Sequence, residues 1–197
     1  MVPAVTVATA PAAAEPAARR SLRARLTAGP LARAIAKLDV GLYRVLREHG
    51  HDPGLELPVR RFSRLGEHAA IWLALGLAGA AVDRPRRARW LRGARAVLLA
   101  YALNTLLKTI VRRKRPELDK LPALISTPTS LSFPSAHASS SFAAARAYSA
   151  LMPAAPLYVV ATAMALSRVY LGVHYPSDIA AGALLGTLVA ARSGARA

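Results

Sequence analysis

The sequence predicts an all-α protein: a polytopic transmembrane bundle of about five spans, preceded by an amphipathic helix in the membrane interface. Hydrophobic residues make up 54% of the 197 residues and charged residues only 19%, which is too apolar for a disordered chain. Five apolar stretches alternate with short basic segments, as in membrane proteins with basic loops. The chain has no cysteine, which excludes disulfides, cysteine nucleophiles and thiolate metal sites.

The charge is strongly positive, with 27 Lys and Arg against 10 Asp and Glu and a formal net charge of +17. A basic nucleic-acid binder could carry the same charge, but such proteins do not usually alternate basic blocks with apolar runs of helix length. We therefore expect membrane lipids as partners and no nucleic acid. A nucleic-acid binder tethered to the membrane is an alternative of another class.

The N-terminal region has two parts. Residues 1–30 are rich in Ala, Pro and Arg and lack the basic start of a secretory signal, so they predict a disordered basic tail. Residues 31–197 are predicted to form a membrane-embedded domain. Its first segment, 31–50, has one apolar helical face, formed by Leu31, Ile35, Leu38, Leu42, Val45 and Leu46. This favours a helix lying in the membrane interface, although a helix packed on a soluble core has the same periodicity.

The five predicted spans need flanking residues to reach transmembrane length; they are 69–82, 96–107, 136–152, 157–167 and 179–191. The Arg-rich segment 83–95 is predicted as a loop between the first two. Small residues favour close packing of helices in lipid, and they recur at Gly76, Gly79, Gly182 and Gly186.

An up-down bundle places three polar clusters on one face: Lys108-x6-Arg115-Pro116, Pro134-Ser135-Ala136-His137, and Ser167-Arg168-x5-His174-x3-Asp178. Arginine forks match phosphate oxygens, and backbone amides at a helix start also bind anions. One imidazole can attack phosphorus while another protonates the departing oxygen. Asp178 lies one turn after His174 and can hold its ring tautomer. The clusters therefore predict phosphoryl transfer.

The three motifs resemble those of the type 2 phosphatidic acid phosphatase superfamily, membrane lipid phosphate phosphatases that share a core with vanadium haloperoxidases. The family pattern is K-x6-RP, PSGH and SR-x5-H-x3-D, and this chain matches it except at the glycine, which is Ala136. The resemblance implies that His174 is the nucleophile and forms a phosphohistidine, that Asp178 orients it, and that His137 protonates the leaving alcohol. It implies phosphate binding by Lys108, Arg115, Ser135, Ala136 and Arg168. It also implies no metal, and we expect no other cofactor.

Residues 63–68 (SRLGEH) and 127–137 (TPTSLSFPSAH) resemble the small actinobacterial members, a group associated with decaprenylphosphoryl-5-phosphoribose phosphatase and cell-wall biosynthesis. That resemblance implies sugar contacts for Glu67 and His68, whereas a helix cap with a satisfied histidine is the alternative. The expected substrate is a lipid phosphate monoester, most naturally polyprenyl-linked. A polyprenyl diphosphate or phosphatidylglycerophosphate phosphatase is the alternative activity, and a non-catalytic lipid-binding protein is the alternative of another class.

We expect a multi-pass protein of the plasma (inner) membrane, and the pattern indicates no particular oligomeric state. Five spans place the N-terminus and the active site on one face and segment 83–95 on the other. The positive-inside rule gives opposite answers for the basic tail and for this short segment, and we expect a cytoplasmic active site. Arg112, Arg113 and Lys114 are expected to contact lipid headgroups.

Overall fold

The computed structural model describes residues 29–194, which form seven α-helices and no strand. Their bounds are Pro30–His49 (α1), Glu56–Leu65 (α2), Ala70–Val82 (α3), Arg87–Val111 (α4), Ala136–Tyr148 (α5), Ala154–Tyr170 (α6) and Pro176–Arg192 (α7). Single 3₁₀ turns precede α2, α3 and α4 at Pro53–Leu55, Glu67–Ala69 and Arg84–Arg86. The predicted tail, except for residues 29 and 30, lies outside the described residues. The all-α prediction is confirmed.

Helix α5 forms the centre of the bundle and packs against α4, α6 and α7. Its approach to α7 depends on two glycines. A Cβ added at Gly182 would lie 2.6 Å from the Ser135 carbonyl oxygen, and one added at Gly186 would lie 2.0 Å from the Ser139 carbonyl oxygen. Any side chain there would force the helices apart, so these positions provide the close packing that the sequence predicted.

Buried hydrogen bonds fix α3 and α4 against α5. Trp72 Nε1 donates to Ser141 Oγ over 2.8 Å, and Tyr148 Oη donates to the Trp72 carbonyl oxygen over 3.0 Å. Asn104 Nδ2 donates to Ser139 Oγ over 2.9 Å. Because unpaired polar groups are costly in an apolar core, these bonds favour one relative position of the three helices. That position brings the end of α4 beside the start of α5.

The prediction of a loop over 83–95 is wrong for most of that segment, because α4 already begins at Arg87. Arg and Ala are strong helix formers, and after Pro85 no proline interrupts them. Asp83 stabilises the helix start: it pairs with Arg86 Nε over 2.6 Å and accepts from Trp90 Nε1 over 3.0 Å. The basic residues therefore extend a long apolar helix instead of separating two spans by a loop.

Among the described residues, Arg84–Val111 is the helix long and apolar enough to cross a bilayer alone. Pro53–Leu65 and Glu67–Val82 satisfy the same criterion only as a pair, with a bend of 48° between them, and Ala154–Tyr170 is a shorter apolar helix. Length and composition thus identify one or two candidate spans in residues 29–194.

Helix α1 packs on the domain through polar side chains. Asp39, Tyr43 and Arg47 recur every four residues and are buried, and Tyr43 Oη donates to the Gly172 carbonyl oxygen over 3.3 Å. The apolar face is exposed instead, with Leu31 at 74% and Leu38 at 61%. The structure therefore contradicts the alternative in which the apolar face of this helix packs on the protein core.

Candidate active site

Residues of all three sequence motifs line one cavity of about 510 Å³. It lies where α4 ends, α5 begins and the α6–α7 loop passes between them. Its wall includes Lys108, Arg115, Ala136, His137, Arg168 and His174. The structure thus brings together side chains that are up to 66 residues apart in sequence (108 to 174). Ser135 and Asp178 are fully buried and lie behind this wall.

His174 presents an unprotonated ring nitrogen beside a cation. It is 2% exposed, and Arg115 Nη1 lies 3.3 Å from its Nε2. A guanidinium can only donate, so Nε2 accepts and the proton resides on Nδ1. Nδ1 lies 3.5 Å from Asp178 Oδ2, an ion-pair separation longer than a hydrogen bond. The carboxylate therefore favours the tautomer with its lone pair on Nε2, where that lone pair accepts from Arg115.

Burial and neighbouring cations keep the ring of His174 neutral. Burial is the largest cause that holds its pKa well below the usual value, and the charges of Arg115, Lys108 and Arg168 add to it. Burial also lowers the pKa of Arg115 to about 10, which leaves this side chain cationic at neutral pH. A neutral imidazole beside a cation is the combination that a nucleophile for a phosphate dianion needs.

Backbone carbonyls of the long segment 112–135 hold two of the cations. Lys108 Nζ donates to the carbonyl oxygens of Leu131, Ser132 and Pro134 at 3.3, 3.1 and 2.9 Å. Arg115 donates through Nε to Thr129 O over 2.9 Å and through Nη1 to Val173 O over 2.6 Å. These bonds tie the segment to the ends of α4 and α6, so the cations both shape the cavity and charge it.

Ser63 accepts hydrogen bonds from two side chains of the opposite cavity wall, Arg168 and His137. Its hydroxyl accepts from Arg168 Nη1 over 2.8 Å, and its carbonyl accepts from His137 Nε2 over 3.0 Å. His137 Nε2 therefore carries a proton, and this proton points at the Ser63 carbonyl oxygen. Arg168 Nε is buried and has no partner within residues 29–194, which leaves a charged donor for a bound anion.

Ser135 and Ala136 form the start of α5. The Ser135 hydroxyl caps the helix, with Ala138 N at 3.5 Å, and its backbone N–H donates to the Asp178 carbonyl oxygen over 3.0 Å. The structure thus gives Ser135 a role in joining α5 to α7, while Ala136 lines the cavity.

A tight turn carries Glu67 and His68 to the cavity rim. His68 and Ala69 both have left-handed backbone conformations, with φ of 52° and 62°, which non-glycine residues rarely adopt. His68 Nδ1 lies 2.9 Å from Tyr101 Oη, so the histidine is hydrogen-bonded and still lines the cavity. The sequence allowed two interpretations of His68: a structural histidine whose hydrogen bonds are made within the protein, and a contact to the sugar of the substrate. The position of His68 agrees with both.

The sequence did not identify Asp39, Ser63 or Arg113 as part of the site. The expectation of a lipid-headgroup contact is wrong for Arg113, which pairs with Asp39 over 2.8 Å and with Asp178 over 3.0 Å. Its guanidinium also lies 4.1 Å from the ring centre of Tyr175. The available signal was the four-residue spacing of Asp39, Tyr43 and Arg47 in an otherwise apolar and basic helix.

Residues 29–194 contain no group of three or more His, Asp or Glu side chains placed to bind one metal ion. Positive charge in the cavity comes from Lys108, Arg115 and Arg168.

A family model, a relative in sequence and two solved structures all show similarity to this chain. The model of the PAP2 superfamily matches residues 90–193, which include all three motifs. The chain is 44% identical over 143 residues to decaprenylphosphoryl-5-phosphoribose phosphatase from Mycobacterium tuberculosis, covering 71% of this chain and 78% of that protein. LpxE from Aquifex aeolicus superposes with a TM-score of 0.69 at 26% identity, covering 79% of this chain and 94% of LpxE. A transmembrane PAP2-type phosphatidylglycerolphosphate phosphatase from Bacillus subtilis shares the fold, with a TM-score of 0.67 at 23% identity over 90% of this chain and 92% of that chain.

Proposed function

This chain belongs to the PAP2 superfamily and is a lipid phosphate phosphatase, and we propose that its substrate is a polyprenyl-linked sugar phosphate such as decaprenylphosphoryl-5-phosphoribose. The observation that supports hydrolysis of a phosphate ester is the Arg115 Nη1 to His174 Nε2 distance of 3.3 Å in a cavity also lined by His137 and Arg168. The name of the mycobacterial relative supports the choice of substrate.

In the first half of the proposed reaction, Lys108, Arg115 and Arg168 bind the phosphate oxygens. The lone pair of His174 Nε2 attacks phosphorus, the P–N bond forms, and the ester P–O bond breaks. His137 in its doubly protonated form donates the proton of Nδ1, the ring nitrogen that is not bonded to Ser63, to the departing alcohol oxygen. The alcohol leaves with a neutral hydroxyl group, and His137 becomes a neutral imidazole. Asp178 stabilises the positive charge that the ring of His174 acquires. The three cations stabilise the equatorial oxygens, where charge is greatest in the transition state.

In the second half, water attacks the phosphohistidine. His137, now a neutral imidazole, accepts a proton from that water at Nδ1, and the P–N bond breaks. Inorganic phosphate leaves, and both imidazoles return to their starting protonation states. All proton transfers use groups of this chain, and the cavity cations supply the positive charge, so we propose that the reaction needs no metal ion.

A purified-enzyme panel tests the substrate assignment. It compares phosphate release from phosphoribosyl polyprenol, polyprenyl diphosphate, phosphatidylglycerophosphate and phosphatidic acid. The highest kcat/KM is expected for the phosphoribosyl lipid, and a higher value for a diphosphate would identify the alternative activity. His174→Ala is expected to abolish release from every substrate. Unchanged phosphate release by His174→Ala would contradict the role of His174 as the nucleophile. If the unmodified enzyme releases phosphate from no substrate, the result favours the alternative of a non-catalytic lipid-binding protein.

We further propose that residues 31–197 form one membrane-embedded domain of the plasma membrane, preceded by the basic tail 1–30. In this arrangement α3 to α7 are the five spans, and the cavity opens on the cytoplasmic face. Small residues at the α5–α7 contact support this, because they are typical of helices packed in lipid.

The three faces of α1 support its place in the membrane interface. One face packs on the domain through Asp39, Tyr43 and Arg47, and the exposed apolar face can enter the lipid. The 100° rotation per residue places a third, charged face on the remaining side; it consists of Arg33, Lys37, Arg44 and Glu48. A helix with separate protein, lipid and water faces is suited to the boundary between membrane and water.

A further inference from the structure

A second, smaller cavity adjoins the catalytic one. It has a volume of about 220 Å³ and shares three wall residues with the catalytic cavity: Glu67, Ser126 and Arg168. Helix α2 contributes Arg60 and Arg64, which are one turn apart and therefore on the same helix face. A ligand that fills the catalytic cavity can thus extend past Arg168 into this side cavity.

The side cavity is lined by three arginines and one acid, and the arginines are incompletely paired. Arg60 donates to the Leu124 carbonyl oxygen over 2.8 Å and lies 4.0 Å from Glu56, but its Nε is buried without a partner. Arg168 Nε is also buried without a partner among the described residues. The side chain of Arg64 is exposed and has no hydrogen bond or ion pair within residues 29–194. Charged donors without partners beside a cavity are suited to a bound anion.

We propose that this side cavity binds a second anionic group of the substrate, the phosphodiester that joins the sugar to the prenyl chain. The inference rests on the proposed function. A decaprenylphosphoryl-5-phosphoribose carries two phosphates on one ribose: the 5-phosphate that is hydrolysed and the phosphate that links the sugar to the lipid. With the first in the catalytic cavity, the second lies against Arg60 and Arg64.

The residues between the two cavities have the chemistry that a ribose needs. The Glu67 carboxylate accepts hydrogen bonds from sugar hydroxyls, and the Ser126 hydroxyl can donate or accept. Leu57 lies three residues before Arg60 on α2 and is exposed, so it offers apolar surface beside the phosphodiester for the first prenyl unit. Arg60 and Arg64 are then specificity residues that distinguish a substrate with two phosphates from a lipid phosphate with one.

Two matched substrates test this assignment. The first is farnesylphosphoryl-5-phosphoribose, and the second is a farnesyl riboside 5-phosphate, which keeps the scissile ester but lacks the linking phosphate. The ratio of their kcat/KM values in neutral detergent measures the contribution of the second phosphate. The unmodified enzyme is expected to prefer the first substrate. Arg64→Gln is expected to lower the ratio about tenfold to a hundredfold, the effect of losing one hydrogen bond to a charged group.

Arg61→Gln is the matched control, because Arg61 is exposed on the same helix and lines neither cavity. This variant is expected to keep the ratio of the unmodified enzyme. An equal fall in Arg61→Gln and Arg64→Gln would overturn the inference in favour of a general effect of surface charge. Added phosphatidylglycerol that inhibits the unmodified enzyme but not Arg64→Gln would also overturn it and identify the cavity as a site for membrane headgroups.

The failures of the two proposals are distinguishable. If both substrates release phosphate and Arg64→Gln does not change the ratio of their kcat/KM values, the side cavity does not bind the linking phosphate. The proposed function would not be affected by this result. An unmodified enzyme that releases phosphate from neither substrate would contradict the proposed function and the inference with it.

Discussion

Arg113 joins the first helix of the described structure to Asp178, the carboxylate beside His174. Its Nη1 lies 3.0 Å from Asp178 Oδ1, and its Nη2 lies 2.8 Å from Asp39 Oδ2 in α1. Asp178 is fully buried, and its second oxygen accepts from the Tyr175 backbone N–H over 2.8 Å. The guanidinium and this N–H together fix the carboxylate that lies 3.5 Å from His174.

Asp39→Asn is expected to lower kcat about tenfold, because the hydrogen bond from Arg113 to a charged partner becomes weaker and Asp178 is less firmly held. KM is expected to stay near its original value, since Asp39 does not line the cavity. Steady-state kinetics on the preferred substrate measures both constants.

Arg112→Gln is the matched control, since Arg112 is exposed and adjacent to Arg113 in sequence. It is expected to keep both constants. A rise in KM at unchanged kcat in Asp39→Asn would show that Asp39 acts on substrate binding and would contradict a positioning role.

The sequence predicted the cavity residues because their spacing is a local property. Lys108, His137 and His174 each lie at the end of an apolar segment, and any antiparallel order of those segments places these ends on the same face. The prediction therefore did not require the helix boundaries to be correct, and the early start of α4 at Arg87 left it unaffected.

The sequence could not predict the contact between Asp39 and Arg113, which are 74 residues apart. The contact depends on how α1 is rotated about its axis, and the apolar periodicity of 31–50 favours burial of the opposite face. Polar side chains face the protein in this helix because they meet the carbonyl oxygens and charged groups at the cavity end of the bundle. The apolar periodicity of α1 therefore does not identify the face that packs on the rest of residues 29–194.

His137→Ala is expected to affect substrates according to their leaving group. General acid catalysis contributes about a hundredfold to ten-thousandfold when the departing alkoxide is strongly basic. We therefore expect a loss of this size for lipid phosphate esters and a much smaller loss for p-nitrophenyl phosphate, whose phenolate leaves without a proton. Comparison of kcat/KM for the two substrates measures the difference, and equal losses would contradict the role of His137 as the acid.

His174 is expected to stay neutral below the pH at which an ordinary histidine, with a pKa of about 6.5, is half protonated. Burial and the nearby cations lower its pKa, so the neutral and reactive form persists as the pH falls. NMR of ring-labelled histidine, assigned with His174→Gln, follows this titration. Arg115→Gln is expected to raise the pKa only in part, because burial is the larger cause. A midpoint at or above about 6.5 in the unmodified enzyme would contradict this account.

Phosphate release is expected to persist in EDTA, because the cavity cations supply the charge that a metal ion would otherwise provide. Vanadate is expected to inhibit, since it can adopt the five-coordinate geometry of the transition state with His174 as an axial ligand. The measurement is residual activity after dialysis against EDTA, followed by a vanadate titration. Activity that disappears in EDTA and returns with Mg²⁺, together with resistance to vanadate, would contradict the proposed mechanism.

The absence of native cysteine makes the membrane topology directly measurable. Asp119→Cys lies in the exposed part of segment 112–135, on the cavity side, and Ala155→Cys lies at the start of α6, at the opposite end of the bundle. With five spans and a cytoplasmic site, a membrane-impermeant maleimide is expected to label Ala155→Cys in intact cells and Asp119→Cys only after permeabilisation. The reverse pattern would place the cavity outside the cytoplasm, and labelling of both positions from one side would contradict the five-span arrangement.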